Sequence, residues 1–136
     1  MAPETVDVAA RINDIRRRIA EAEQAAKRAS GSVTLVAISK THPLQRAVRA
    51  IAAGQHVYGE NRVQEALAKW REIKGETPDL RLHLVGPLQT NKVHDEVKMF
   101  DVVETVDRPK LAVSLAREME KCGQRLDCFI QVNFYI

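Results

Sequence analysis

An α/β fold built on parallel strands is the architecture the sequence predicts, and three observations carry the prediction. Short apolar runs of strand length alternate with segments whose apolar residues return every three or four positions, the connections between them are short, and glycine or proline punctuates most junctions. Parallel strands need a crossover connection, which the helical segments supply. Such a ladder fits a doubly wound sheet or a (β/α)8 barrel, and periodicity does not choose between them.

Val8, Ile12, Ile15, Ile19, Ala22 and Ala26 form the stripe of a long amphipathic first helix, which Ser30-Gly31 should end. Residues 34–39 read as the first strand, and a helix from near Leu44 is stopped by Gly54. Val57-Tyr58 makes a short second strand. From Val63, the residues Leu67, Trp70 and Ile73 recur at helical spacing until Gly75 and Pro78 break the pattern, with Trp70 expected as a packing anchor. The third strand is residues 81–85, broken by Gly86-Pro87, and a helix follows over 91–99. A fourth strand covers 102–105. Asp107 is the expected N-cap of a helix that tolerates Pro109 in its first turn, reaches Cys122 and ends at Gly123. The fifth strand is about 128–132, and Met99, Phe100 and Phe129 are expected in the core.

Composition sets outer bounds. A hydrophobic share of 45% with 29% charged residues is that of a globular chain and excludes disorder as the default. The amino terminus lacks the basic-then-apolar order of a secretory signal, and no apolar run is long enough to span a bilayer, so the expected location is cytoplasmic. Cys122 and Cys128 are too few for a disulfide scaffold, lack metal-type spacing with histidines and are expected as packing residues; metal ligands are expected to be none. The charge of +3 admits an anionic ligand or a nucleic acid. Aromatic residues at 4% offer few stacking platforms, which disfavours nucleic acid, and Arg16-Arg17-Arg18 is read as a solvated helix face.

Lys40 is the most informative position. It follows the apolar run Leu35-Val36-Ala37-Ile38 and Ser39, so its amine emerges at the carboxyl end of a buried strand, where parallel α/β folds place their chemistry. A partly desolvated lysine there can lose its proton near neutral pH and attack an aldehyde. Alone, the feature is equally that of a solvated strand-end lysine. Three segments supply context: Ser39-Lys40-Thr41-His42-Pro43; Tyr58-Gly59-Glu60-Asn61-Arg62-Val63-Gln64-Glu65-Ala66; and His83-Leu84-Val85-Gly86-Pro87-Leu88-Gln89-Thr90-Asn91-Lys92. In this order and spacing they resemble the pyridoxal phosphate homeostasis protein family, and the likeness runs from about Val33 to Asn133 through Asp101, Val106-Asp107, Lys110-Leu111 and Gln131-Val132-Asn133.

The resemblance implies a TIM barrel, (β/α)8, like the amino-terminal domain of alanine racemase, of which residues 1–136 would be a single domain holding a preceding helix and the first five strands. It implies pyridoxal 5'-phosphate as cofactor, held as a Schiff base on Lys40, with Asn61, His83 and Asn133 as further cofactor-binding residues. Asn61 reads equally as a turn residue, and His83 as a hydrogen-bonded core histidine. The implied role is intracellular cofactor homeostasis, with cofactor-accepting apoenzymes as partners. No catalytic residues are assigned, because no second acid or base is evident across the cofactor. A racemase- or decarboxylase-like enzyme and a basic interaction module without cofactor are the rival readings.

Departures from the family pattern accompany the match. Pro87 stands where relatives often carry histidine, and His42 where many have a second lysine. The family's later Ser- and Gly-rich phosphate-holding loops have no counterpart, and the ending Phe134-Tyr135-Ile136 replaces small polar residues and glycine. These features lead to the expectation of an incomplete barrel, arising by truncation, an altered reading frame or a split protein. Such a chain should bind cofactor weakly and expose strand edges, favouring self-association or a complementary fragment.

Overall fold

The computed structural model describes residues 7–40 and 43–134. The order is α1 (Val8–Ala25), β1 (Ala37–Ile38), α2 (Leu44–Ala52), β2 (Val57–Glu60), α3 (Val63–Glu76), β3 (Arg81–Leu84), a 3-10 turn (Thr90–Lys92), α4 (Val93–Met99), β4 (Val102–Val106), α5 (Pro109–Cys122) and β5 (Asp127–Ile130). All five strands are parallel and lie side by side in chain order, β1-β2-β3-β4-β5. A doubly wound sheet reverses its strand order at a switch point. Here the order advances without reversal, as in a barrel wall, which removes the doubly wound alternative among the described elements.

Strand alternation assigns the two faces. Tyr58 and Glu60 of β2, Leu82 and Leu84 of β3, and Val103 of β4 turn to the helices and are almost fully buried against Ala66, Trp70, Val97, Leu111 and Leu115. Trp70 is wholly buried, its ring 4.8 Å from that of Tyr58, so the expected packing anchor is found. Met99 and Phe100 also join this core. The opposite, concave face carries Val57, Arg81, His83, Val102 and Glu104 around an open trough of about 760 Å³. Phe129 is a correction: it lies on this trough and is 57% exposed. Its strand is the last of the described sheet and is exposed along all four residues, which leaves the ring largely uncovered among the described residues. Cys128, on the same edge, is likewise exposed rather than packed.

Several boundaries moved for identifiable reasons. α1 stops at Ala25, short of Ser30-Gly31, because Lys27 takes a left-handed conformation with φ 56°. The Arg28 N–H then bonds the Glu23 carbonyl at 2.8 Å and that of Lys27 the Gln24 carbonyl at 3.1 Å, a Schellman ending on a lysine instead of a glycine. The Glu23 carboxylate anchors the following loop by accepting from Val33 N–H at 2.9 Å. β1 is shorter than expected because the Gln55 side-chain amide, donating to the carbonyls of Leu35 and Val57 at 2.8 Å each, takes the place of a strand pair.

Asp107 is not the N-cap of α5. Arg108 holds that position without a side-chain cap bond, while the Asp107 carboxylate accepts from the Arg108 guanidinium. The solvated reading of the arginine run fails at Arg16. Its guanidinium donates to the Gly54 carbonyl at 2.9 Å and to Gln55 Oε1 at 2.7 Å, tying α1 to the carboxyl end of α2, whereas Arg17 does pair on the surface with Asp14 and Glu21.

One core group is ionisable and unsatisfied. Glu96 of α4 is fully buried, neither carboxyl oxygen has a hydrogen-bond partner among the described residues, and burial pushes its pKa up to about 8 despite the nearby Lys74 ammonium. The unfolded chain releases that proton near pH 4.5, so the folded state binds it more tightly. Stability should therefore fall as pH rises from about 4.5 to about 8 and level off above, by ~3–5 kcal/mol at most. Urea unfolding at about pH 5 and about pH 8.5 should show this slope in the wild type and its loss in Glu96→Gln. Parallel pH profiles for the two proteins would contradict the assignment.

Candidate functional site

The carboxyl ends of β1, β2 and β3 are fastened together by a few buried contacts. Ser39, directly after β1, is buried; its N–H donates to the Gly59 carbonyl at 3.1 Å and its hydroxyl to Glu60 Oε1 at 2.7 Å. The same carboxylate oxygen accepts from Trp70 Nε1 at 2.8 Å and from Lys69 Nζ at 3.1 Å. Lys69 Nζ also donates to the Ser39 carbonyl. Glu60 is thus a buried carboxylate satisfied by three donors, one of which, Lys69, is also its ion-pair partner, the arrangement that makes burial of a carboxylate tolerable. Lys40, the next residue along, is exposed. Its backbone springs from the anchored Ser39, and the alternation that places Val36 and Ile38 beside Gly59 on the concave face continues to Lys40.

Asn61 occupies the equivalent position after β2. Its backbone approaches Gly86, at the end of β3, so closely that a Cβ on Gly86 would lie 2.1 Å from the Asn61 carbonyl oxygen and 2.7 Å from Oδ1. Only glycine fits. The Gly86 carbonyl in turn accepts from the buried Thr105 hydroxyl at 2.8 Å, carrying the connection to β4. Beside these residues opens a cleft of about 430 Å³ lined by Asn61, Arg62, Gln64, Pro87, Gln89 and Lys92, with two cationic side chains on its rim. Pro87 contributes apolar surface there.

His83 is on the concave face of β3, largely buried, with Nδ1 3.1 Å from Glu104 Oε1. An ionised carboxylate only accepts, so Nδ1 carries the proton in this pair and Nε2 is the nitrogen left to other partners. In register His83 is level with Gly59 and Val102. Carrying the β1-β2 register of Ile38 with Gly59 two residues onward brings Lys40 level with Asn61, one pleat above His83. Lys40 and Asn61 thus follow the carboxyl ends of β1 and β2, His83 lies within β3, and the pairing of β1 with β2 itself ends at Ile38 and Gly59.

Asn133 does not join them. β5 ends at Ile130, two residues earlier than expected, and beyond it the Gln131 N–H still bonds the Val106 carbonyl at 2.8 Å. Asn133 follows on the far edge of the sheet from β1, and it is exposed. The reading of His42 falls on a residue outside those described, as does that of Tyr135-Ile136.

Sequence reasoning missed Glu60, Ser39, Lys69 and Glu104. A signal for Glu60 was present: it shares the strand face of Tyr58, which the helices cover, and a carboxylate on a covered face requires buried donors. Lys69-Trp70, on the helix that crosses over β2, are the side chains in reach.

Fold order and strand-end geometry define a class of protein, a barrel-type α/β domain with an amine at its carboxyl-end rim. The chain belongs to the family described as "Alanine racemase, N-terminal domain", whose profile matches residues 11–135. Among curated relatives it is 41% identical over 124 residues to the pyridoxal phosphate homeostasis protein of Vibrio cholerae, covering 90% of this chain and 52% of that protein. It is 36% identical to the one of Escherichia coli, covering 93% and 55%. Among solved structures, PipY of Synechococcus elongatus with PLP bound superposes with a TM-score of 0.82 at 38% identity, over 94% of this chain and 55% of that one. A Bifidobacterium adolescentis protein superposes at 0.81 with 30% identity, over 93% and 57%. The chain thus spans about half the length of the relatives it matches.

Gly86→Ala should cost ~1–3 kcal/mol, since the methyl group meets backbone that cannot step aside. Thermal unfolding should show the loss, and the amide resonances of Asn61 and Arg62 should move most. Unchanged Asn61 resonances would show that the contact is not fixed in solution.

Proposed function

We propose that this chain binds pyridoxal 5'-phosphate through Lys40 and belongs to a protein that buffers or carries the cofactor. The observation that carries the reading is Lys40 at the open end of β1, on a backbone held by the Ser39–Glu60–Lys69 network, level with Asn61 and above His83. The printed names of the relatives and the PLP-bound state of PipY support the ligand. The donor set fits the group. Pyridoxal phosphate brings an aldehyde that a neutral primary amine captures reversibly, and Lys40 offers that amine.

Each remaining residue has a distinct part. The Asn61 amide, at the rim, would offer a hydrogen bond to the bound cofactor. His83, held by Glu104, closes the floor and keeps its Nδ1 proton on the carboxylate side. Arg62 and Lys92, beside Asn61, give the cleft a positive rim suited to a phosphate monoester. Lys69 is not a competing amine, because its ammonium is committed to Glu60 and the Ser39 carbonyl. Recipient apoenzymes, a cytoplasmic setting and the place of residues 1–136 as the amino-terminal part of the binding domain are parts of the same proposal, as is the contribution of Asn133.

Borohydride reduction after incubation with pyridoxal phosphate, followed by peptide mass analysis, tests the central point. The expected outcome is saturable labelling concentrated on Lys40, lost in Lys40→Ala, with the other lysines marked only in proportion to reagent. Equal labelling across exposed lysines, or a saturable site elsewhere, would overturn the assignment. Replacing Glu60 by Gln should lower the Lys40 yield severalfold by loosening the strand end, while the labelling of remote lysines stays unchanged.

A further inference from the structure

Away from the strand ends, the outer helices α4 and α5 bring three metal-ligating side chains together. His94 stands in the first turn of α4, and Glu118 with Cys122 lies one helical turn apart on α5. Glu118 Oε1 accepts from His94 Nδ1 and, at 3.2 Å, from Cys122 Sγ, and the three ligand atoms all lie within 4.8 Å of one another. The two helices are fixed relative to each other by Val97, Leu111 and Leu115, buried beneath the cluster's elements. The cluster itself reaches the surface, with the His94 side chain half exposed.

We propose that His94, Glu118 and Cys122 form a binding site for a zinc-class divalent cation, with water completing the coordination. Imidazole, carboxylate and thiolate are the ligand types zinc takes, and tetrahedral bonds of about 2.0–2.3 Å separate ligand atoms by roughly 3.3–3.8 Å. The two contacts of Glu118 would have to open to reach that span, while all three ligand atoms already lie within 4.8 Å of one another. Magnesium and calcium, which prefer all-oxygen shells, are poor occupants.

Binding has a defined proton balance. The Cys122 thiol proton, held up on sulfur mainly by its bond to Glu118, leaves for solvent. His94 exposes its Nδ1 lone pair by carrying its proton on Nε2 instead. Lys98 and Lys121 lie near Cys122 and oppose the cation's charge, so affinity is moderate rather than that of a closed four-ligand site. A bound ion would staple α4 to α5 in place of the present hydrogen bonds.

Titration of the reduced protein with cobalt(II), then displacement by zinc(II), reads the site directly. One equivalent of cobalt should give tetrahedral visible bands and a thiolate charge-transfer band in the near ultraviolet, both removed by zinc. Cys122→Ser should abolish the charge-transfer band, His94→Ala should weaken cobalt binding about tenfold or more, and Cys128→Ser should change neither. Circular dichroism checks that the variants stay folded. No charge-transfer band in the wild type, or one that survives Cys122→Ser or vanishes with Cys128→Ser, would overturn the proposal and leave the cluster as a hydrogen-bonded brace between helices.

Discussion

The Glu60 carboxylate is the constraint on which the strand-end geometry rests. A single oxygen receives the hydroxyl of Ser39, the indole of Trp70 and the ammonium of Lys69. These three donors come from β1's end and from the helix that crosses over β2, so one buried charge ties the start of the sheet to its covering layer. The group lies on the helix-facing side, where an unpaired carboxylate would be costly. Removing either member of such a pair strands the other, typically at ~3–5 kcal/mol, so the network tolerates loss poorly. Lys40 inherits its position from this arrangement without taking part in it.

Charge is handled differently in three places, and burial explains the difference. Glu60, satisfied by three donors, is the anionic half of an ion pair. Glu96, equally buried but without a hydrogen-bond partner among the described residues, avoids the penalty by holding its proton. Glu104 is partly solvated and serves to orient His83. That pair places a polar spot on the concave face beside the strand residues of the trough. On the other face the strand side chains fill the space beneath the helices.

Much of this arrangement was legible in the sequence, because periodicity reports burial directly. The five strands, the helices from Leu44, Val63 and Pro109, and the anchoring of Trp70 all follow from apolar spacing and from Gly54 and Gly123, both at positive φ. What escaped were features set by single side chains acting on backbone. A lysine in the left-handed region ended α1, a glutamine amide replaced a strand pair, and Arg16 left the solvated face to cap α2. None of these leaves a periodic trace. Phe129 failed for another reason: an apolar residue on a strand reads as core whether or not anything lies over that strand, and β5 is an edge. At the candidate site, Lys40 stands out in the sequence because it follows an apolar run, and Asn61 and His83 enter through the family resemblance, whereas Glu60 and Glu104 act across strands and required the register.

That register also shows why the amine and its support are divided between the faces of one sheet. Ser39 and Lys40 are adjacent, so strand alternation sends their side chains to opposite sides. Ser39 turns toward the helices and is fixed by Glu60; Lys40 continues the concave row of Val36 and Ile38 and is open to solvent. One side of the strand end is thus anchored among the helices while the neighbouring side chain is left to solvent, through a single peptide unit. Gly59, opposite Ile38, leaves room on the concave face, because a Cβ there would fall 2.5 Å from the tip of the Ile38 side chain, which would have to turn away. The short edge strand can be placed with only two paired residues, since the Glu60 carboxylate and the Gly59 carbonyl both hold Ser39 where it ends.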